Sequence, residues 1–252
     1  MRVIIPARFA STRLAGKVLA DVCGKTLLER VYDCARASKA TEVIVATDDD
    51  RIAEVASQFA DRVCLTAGDH PSGTARIAEA IAQLGLPDDE IIVNLQGDEP
   101  MVPASLLDQV AALVEEGPCP MGTAASRIHN YDTLLNPNVV KVVLDHRDRA
   151  LYFSRAPIPW PRDCRESEVG TGIPVHAWHH IGVYAYRAGF VRQYATWPRS
   201  PLEDIEMLEQ LRVLWHGVPI AVCEALDRPA AGVDTAEDLA RVRLHFGATT
   251  AL

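Results

Sequence analysis

Arg8, Arg13 and Lys17 carry three positive charges along one short segment. Small residues lie between them, among them Ala10, Ser11, Thr12, Ala15 and Gly16. Small side chains let backbone N–H groups approach an anion closely, and fixed cations neutralise it. The apolar run Val3-Ile4-Ile5 just before, closed by Pro6, is too brief for a helix and reads as a first strand. A loop of this kind beyond the end of a first strand suits a nucleoside triphosphate. It is not a Walker A loop, because Lys17 is followed by Val18 and no glycine stands at the required spacing before Gly16. Nor is it a dinucleotide fingerprint, since Gly16 has no glycine before it. The same residues would also serve as a solvated basic loop after an edge strand.

Carboxylates supply the second half of the chemistry. Asp98, in Gln96-Gly97-Asp98-Glu99-Pro100, follows an apolar strand and a glycine and can turn into a cleft. Magnesium takes a few carboxylates plus phosphate oxygens and water, so one aspartate opposite a triphosphate loop suffices for a metal. It would equally serve as a helix cap. Asp234, in Gly232-Val233-Asp234-Thr235, offers a second acidic position before a helix and has the same two readings. Arg155, between Tyr152-Phe153-Ser154 and Ala156-Pro157, suits a bidentate grip on a carboxylate or a structural pairing with a glutamate. The run His176-Ala177-Trp178-His179-His180 has no cysteine or carboxylate at ligand spacing, so a histidine touching substrate is favoured over zinc. Glu209-Gln210 falls inside a predicted helix, where a polar pair is usually a solvated face. No Ser-His-Asp or Cys-His arrangement is recognisable, which leaves covalent catalysis without support.

These residues need a scaffold that gathers loops. Thr26-Leu27-Leu28-Glu29 has capping-box form and predicts a helix running towards Ser38. Residues 42–47 read as a strand, with Asp48 capping the helix after it, and residues 63–66 as another strand. A helix follows Asp69-His70-Pro71-Ser72-Gly73-Thr74 and carries Arg76 and Glu79. Residues 91–95 form the most apolar strand, predicted to be central. Strands alternating with helices imply an α/β fold with a mostly parallel sheet and helices on both faces. Ligands of such sheets sit beyond the carboxyl ends of the strands.

After Gly117 the rhythm changes. Residues 121–127 and 139–144 read as strands with no long helix between them, and residues 156–175 as an irregular excursion rich in Pro and Gly. Residues 181–186 form a strand. Ser200-Pro201-Leu202-Glu203 predicts one helix running to about Trp215. Residues 219–223 are a further strand, and Thr235-Ala236-Glu237-Asp238 opens a last helix.

The 252 residues suit one large domain, which needs no disulfide or metal to fold. A net charge of −9 argues against a nucleic-acid partner, which demands a basic face. The six cysteines include no C-x-x-C pair, so free thiols in a reducing cytoplasm are expected. With no leader-like segment and no apolar run near spanning length, a cytoplasmic protein without membrane insertion is expected.

Assembled, these segments resemble the 3-deoxy-manno-octulosonate cytidylyltransferases, the CMP-Kdo synthetases, from Val3 to about Phe246. The likeness rests on the Pro6-Ala7-Arg8, Ser11-Thr12-Arg13-Leu14, Asp69 to Thr74 and Asn94 to Pro100 segments. It extends through Leu151 to Ala156, Ile205 to Arg212 and Gly232 to Thr235. It implies a nucleotide-diphospho-sugar transferase fold, a Rossmann-like sheet with a smaller inserted region for dimerisation and sugar binding. A single cytidylyltransferase domain would then span 1–252. Its nucleotide half would be about 1–120, its sugar-binding and dimerisation part about 121–230, and its metal aspartate and last helix about 231–252. The implied reaction joins CTP and Kdo into CMP-Kdo and pyrophosphate, with Mg2+ as cofactor, in a homodimer serving lipopolysaccharide synthesis. Residue by residue, the resemblance assigns Ala7, Arg8, Arg13, Lys17, Ser72, Gly73, Arg76 and Gln96 to CTP. It assigns Asp98 and Asp234 to the metal, and Arg155, His180, Tyr184, Glu209 and Gln210 to the sugar. Lys17, Arg13, Asp98 and Asp234 would carry catalysis. The chain departs from the family at Ala15 and Val18, where proline is usual, and along residues 164–178. Cytidylyl transfer to another acidic keto-sugar, such as sialic acid or 8-amino-Kdo, and a non-catalytic nucleotide or sugar sensor remain as alternatives.

Overall fold

The computed structural model describes residues 1–10, 14–162 and 176–249. Arg13, with Ser11 and Thr12, lies outside them, as does most of the predicted irregular excursion; residues 156–162 have no helix or strand. In chain order the elements begin with β1 (Arg2–Ala7), the small ribbon β2 (Asp21–Val22) and β3 (Lys25–Thr26), and α1 (Leu27–Arg36). Then come β4 (Glu42–Thr47), α2 (Asp50–Ala56), β5 (Arg62–Leu65), α3 (Gly73–Gln83), β6 (Ile91–Asn94) and α4 (Ala104–Glu116). The second half holds β7 (Met121–Arg127), α5 (Tyr131–Leu135), β8 (Lys141–Leu144), β9 (Ala150–Ser154), β10 (Trp178–Arg187) and α6 (Ala188–Ala195). It closes with α7 (Pro201–Glu206), α8 (Gln210–Trp215), β11 (Ile220–Glu224) and α9 (Ala236–Thr249).

One sheet runs in the order β11-β7-β10-β6-β1-β4-β5, with β8 and β9 branching from β10. Along that path β10 alone runs against its neighbours, so the main sheet is mostly parallel, as expected. β6 lies in the middle. The inner strands are apolar at successive positions because both faces are covered. Ile4, Ile44 and Ile92 pack on one side with Ile77 and Ile81 of α3 and Phe190 and Val191 of α6. Val3, Ile5, Val43, Val45 and Val93 pack on the other with Leu28 and Val31 of α1 and Leu106 and Val110 of α4. Each such side chain, fully buried, contributes about 1.5–3 kcal/mol, which fixes the strands' register. Their carboxyl ends, at Ala7, Thr47 and Asn94, then open onto a common edge.

Two local expectations are corrected. α2 is capped by Asp49, whose Oδ1 accepts from the N–H groups of Arg51 and Ile52, rather than by Asp48. Asp48 instead pairs with Arg76 at 3.2 Å. The single helix predicted to reach Trp215 is two helices, because Met207 takes the left-handed conformation (φ 53°, ψ 49°) and ends α7. The predicted start is present: Ser200 and Glu203 form a capping box with Pro201 in the first turn. The break puts Glu209 and Gln210 at the start of α8 instead of mid-helix. Cys23, Cys34, Cys64, Cys119 and Cys223 are free.

Candidate active site

The first loop folds back so that Lys17 enters the protein. Gly16 sits at φ 67°, where a side chain is strained, and an added Cβ would come within 2.9 Å of the Phe9 ring. The Gly16 N–H donates to Phe9 O at 3.0 Å, closing the turn. Lys17 is therefore buried. Its Nζ donates to Asp98 Oδ2 at 2.7 Å, Asp234 Oδ1 at 3.0 Å and Val233 O at 2.7 Å. Burial pulls the ammonium towards neutrality, but bonding and attraction from Asp98 and Asp234 prevail, so its pKa lies above the ordinary value.

Thus the two expected metal carboxylates converge on one point, from loops 136 positions apart in sequence (234 − 98). Neither acts as the helix cap that each could have been. α4 starts only at Ala104, and the start of α9 is closed by Thr235 and Asp238. There Asp238 Oδ2 accepts from the N–H groups of Asp234 and Thr235, while Thr235 Oγ1 accepts from the N–H of Asp238. The two loops are also tied by their backbones, Val233 N–H donating to Asp98 O at 2.9 Å. Beside them Glu99 was not foreseen. Burial, then Asp98 and Asp234, push its carboxyl up to about 8 against the opposing effect of Lys17. Gly232 makes room for it, since a Cβ there would meet Glu99 Oε1 at 2.6 Å. Two carboxylates on one point, with side chains 32% and 48% exposed, suit magnesium, which keeps water and phosphate oxygens as its remaining ligands.

Ala7, Arg8, Ser72, Gly73, Arg76 and Gln96, all predicted for the nucleotide, line one cavity of about 330 Å³. Ser72 caps α3 by accepting from the Ala75 N–H, so the cavity meets the positive end of that helix. Arg76 is buried, and its guanidinium is held by Asp48, Thr66 Oγ1 and Ala67 O. Tyr184, Glu209 and Gln210, predicted for the sugar, line a second cavity of about 280 Å³. Gln96 and Glu209 border both cavities, so the two adjoin. Burial raises the Glu209 pKa, although hydrogen bonds from Thr74 and Ser72 oppose it. The Thr74 bond is 3.0 Å long.

His180 is buried and lines a third cavity of about 380 Å³, which reaches Glu99 and Gly232 and shares Gly182 with the second. Arg155 is not brought to these cavities. Its Nε donates to Glu206 O at 2.8 Å and its Nη1 to Pro137 O at 3.1 Å. Glu206 also accepts from Ser154 Oγ at 2.6 Å and the Arg155 N–H at 2.9 Å. Thr74 and Thr123 joined the site without sequence warning, because each acts through a partner distant in the chain, whereas Glu206 is the structural glutamate that Arg155 was alternatively expected to meet. Only Glu99, beside Asp98 in an acidic turn, carried a readable signal.

A family model described as Cytidylyltransferase matches residues 2–220. The 3-deoxy-manno-octulosonate cytidylyltransferase of Hahella chejuensis is 54% identical over 243 residues, covering 96% of this chain and 95% of that protein. This chain belongs to the 3-deoxy-manno-octulosonate cytidylyltransferase family. Its counterpart from Idiomarina loihiensis is 52% identical over 97% of this chain and 98% of its own length. Among solved structures, a CMP:2-keto-3-deoxy-manno-octonic acid synthetase complexed with CTP superimposes with a TM-score of 0.89. It is 36% identical and covers 98% of both chains. A 4-diphosphocytidyl-2C-methyl-D-erythritol synthase, 15% identical with a TM-score of 0.63, shares the fold. The matched span of the family model ends before Asp234, but Asp234 meets Asp98 through Lys17 all the same.

Proposed function

We propose that this cytidylyltransferase transfers CMP from CTP to Kdo, giving CMP-Kdo and pyrophosphate. What carries the reading is the meeting of Asp98 and Asp234 at Lys17 in a chain with this family's fold and identity. CTP would occupy the cavity of Ala7, Arg8, Ser72, Gly73, Arg76 and Gln96, with the sugar in the adjoining one. The anomeric hydroxyl of Kdo attacks the α-phosphate in line, and pyrophosphate leaves. Since both substrates are anions, the work is mainly electrostatic. Asp98 and Asp234 would hold Mg2+, which when bound neutralises the triphosphate and stabilises charge at the reacting phosphate. Lys17 and Arg8 add fixed positive charge, as does Arg13, which lies outside the described residues. Tyr184, Glu209 and Gln210 supply hydrogen-bonding groups to sugar hydroxyls.

For Arg155 to grip the sugar carboxylate, its side chain must leave the carbonyls of Glu206 and Pro137. The family resemblance adds a homodimer, a cytoplasmic location and a place in lipopolysaccharide synthesis. No helix among the described residues is long and apolar enough to cross a membrane.

The test is pyrophosphate release from CTP and Mg2+ with Kdo, 8-amino-Kdo and sialic acid offered separately. Release with Kdo is expected, and it should fall roughly 10²-fold or more in Asp98→Asn and Asp234→Asn, as on losing a charge-stabilising group. Release with sialic acid alone would reassign the sugar, and release with none of them would point to a sensor.

A further inference from the structure

β10 slips register against β7 between Ile181 and Tyr184. Such a bulge interrupts the ladder and leaves backbone groups in need of other partners. Thr123 of β7 lies fully buried beneath it. Its Oγ1 is 2.8 Å from Val183 O, 3.1 Å from Ile181 O and 3.1 Å from His180 Nε2. A hydroxyl has one proton to give, and carbonyl oxygens can only accept. The nearest acceptor, Val183 O, takes that proton. Oγ1 then presents lone pairs to the imidazole, so the hydrogen in the 3.1 Å contact must sit on Nε2.

The ring itself is held still. The backbone N–H of His180 donates to Val140 O at 2.8 Å, and the imidazole packs against Phe153 and Tyr184 with centroids 4.9 and 5.4 Å away. Burial, with His179 beside it, pushes the His180 pKa down to about 3, so the ring is neutral and carries a single N–H. With that hydrogen on Nε2, Nδ1 has a free lone pair, and it has no hydrogen-bond partner among the described residues.

The geometry points to Thr123 as a positioning residue that fixes His180 in its Nε2–H tautomer, leaving Nδ1 to accept a hydrogen bond from a hydroxyl of the sugar substrate. This rests on the sugar reading above, because the family resemblance assigns His180 to that ligand and its cavity shares the lining residue Gly182 with the one proposed for the sugar. A sugar presents many hydroxyl donors, and a buried imidazole locked as an acceptor selects for one at a defined place. The bulge gives a reason for a hydroxyl at position 123: valine would fill the space without donating to Val183 O or accepting from the ring.

The test uses the full-length protein with ¹⁵N-labelled histidine, unliganded and near neutral pH. NMR correlation of the ring nitrogens should show His180 with hydrogen on Nε2 alone in the unmodified protein and in Thr123→Ser, and a mixture of tautomers in Thr123→Val. In steady-state assays Thr123→Val should raise the KM for Kdo about tenfold, the effect of weakening one buried hydrogen bond. The KM for CTP should stay unchanged, and Thr123→Ser should keep the KM for Kdo near that of the unmodified protein. Hydrogen on Nδ1 in the unmodified protein would overturn the proposal, as would a single Nε2–H form surviving in Thr123→Val or equal rises in both KM values. If Thr123→Val fails to fold, the tautomer of the unmodified protein still decides. Failure of every keto-sugar as substrate would remove the functional reading while leaving the tautomer result to stand or fall separately.

Discussion

In this structure a lysine ammonium sits between the two carboxylates proposed to hold the metal, so Lys17→Met should tighten divalent-cation binding in the absence of nucleotide. Methionine keeps an unbranched stem for the packing around position 17 but removes the charge. Asp98 and Asp234 have side chains 32% and 48% exposed, so solvent screens the site and the water-like limit of Coulomb's law applies. Two unit charges about 4 Å apart then interact by about 1 kcal/mol, hence a divalent ion and an ammonium by about 2 kcal/mol. That corresponds to roughly 30-fold in affinity.

The assay is a Mn2+ titration without CTP, following free ion by electron paramagnetic resonance. Lys17→Met should bind Mn2+ about 30-fold more tightly than the unmodified protein, while turnover with CTP should fall if Lys17 meets the triphosphate as proposed. Asp98→Asn should weaken Mn2+ binding in both backgrounds. Unchanged or weaker binding in Lys17→Met would refute the competition and mean that ammonium and metal occupy different places.

Three further outcomes follow from the geometry. Arg212→Met should cost about 3 kcal/mol in urea unfolding, because it removes the direct partner of buried Glu203, held by Arg212 at 2.6 and 2.7 Å, and leaves it the more exposed Arg199 at 3.8 Å; a loss below about 1 kcal/mol would mean the site relaxes to admit water. Gly232→Ala should lower turnover far more than stability, since its Cβ would press on Glu99 and come within 3.0 Å of Asp98 O; equal damage to both would make Gly232 a folding residue only. His180→Phe should change how stability depends on pH. The folded-state pKa of His180 lies near 3 against 6.5 for a free histidine, so its neutral form favours folding fully above 6.5 and that contribution is lost as pH falls towards 3. The unmodified protein should therefore lose stability relative to His180→Phe between pH 7 and pH 5, and parallel curves would show that the ring can charge in place.

Sequence made the inner sheet legible because burial on both faces leaves few residue choices. Residues 42–47 and 121–127 were delimited as the structure has them, and β6 was recognised as central from its apolar run. Helix starts were legible wherever a hydroxyl or carboxylate caps locally, as at Thr26 and Ser200. Adjacent residues of one type defeated that logic at Asp48 and Asp49, either of which could cap α2. The end of α7 carried no signal at all. Left-handed backbone usually announces itself through glycine or asparagine, whereas here Met207 adopts it while the neighbouring Leu208 is anchored in the core. Tertiary packing, invisible in a local window, decided the break and with it the placement of Glu209 and Gln210.

The site divides along the same line. Residue types told which groups could meet an anion or a metal, but not which partner each would take in the folded chain. Arg155 and Arg76 are both arginines near polar loops, yet one is turned to the carbonyls of Glu206 and Pro137 while the other, held by Asp48, lines the cavity proposed for the nucleotide. Asp234 shows why. The segment Asp234-Thr235-Ala236-Glu237-Asp238 offers three acidic side chains to one helix start. Asp238 reaches back to the N–H groups of Asp234 and Thr235 and satisfies them. Because the cap is supplied from inside the helix, the carboxylate of Asp234 is released to meet Lys17 from across the chain. A cap made by Asp234 itself would have turned that carboxylate onto its own helix and left Asp98 as the sole acidic partner of Lys17 from these loops.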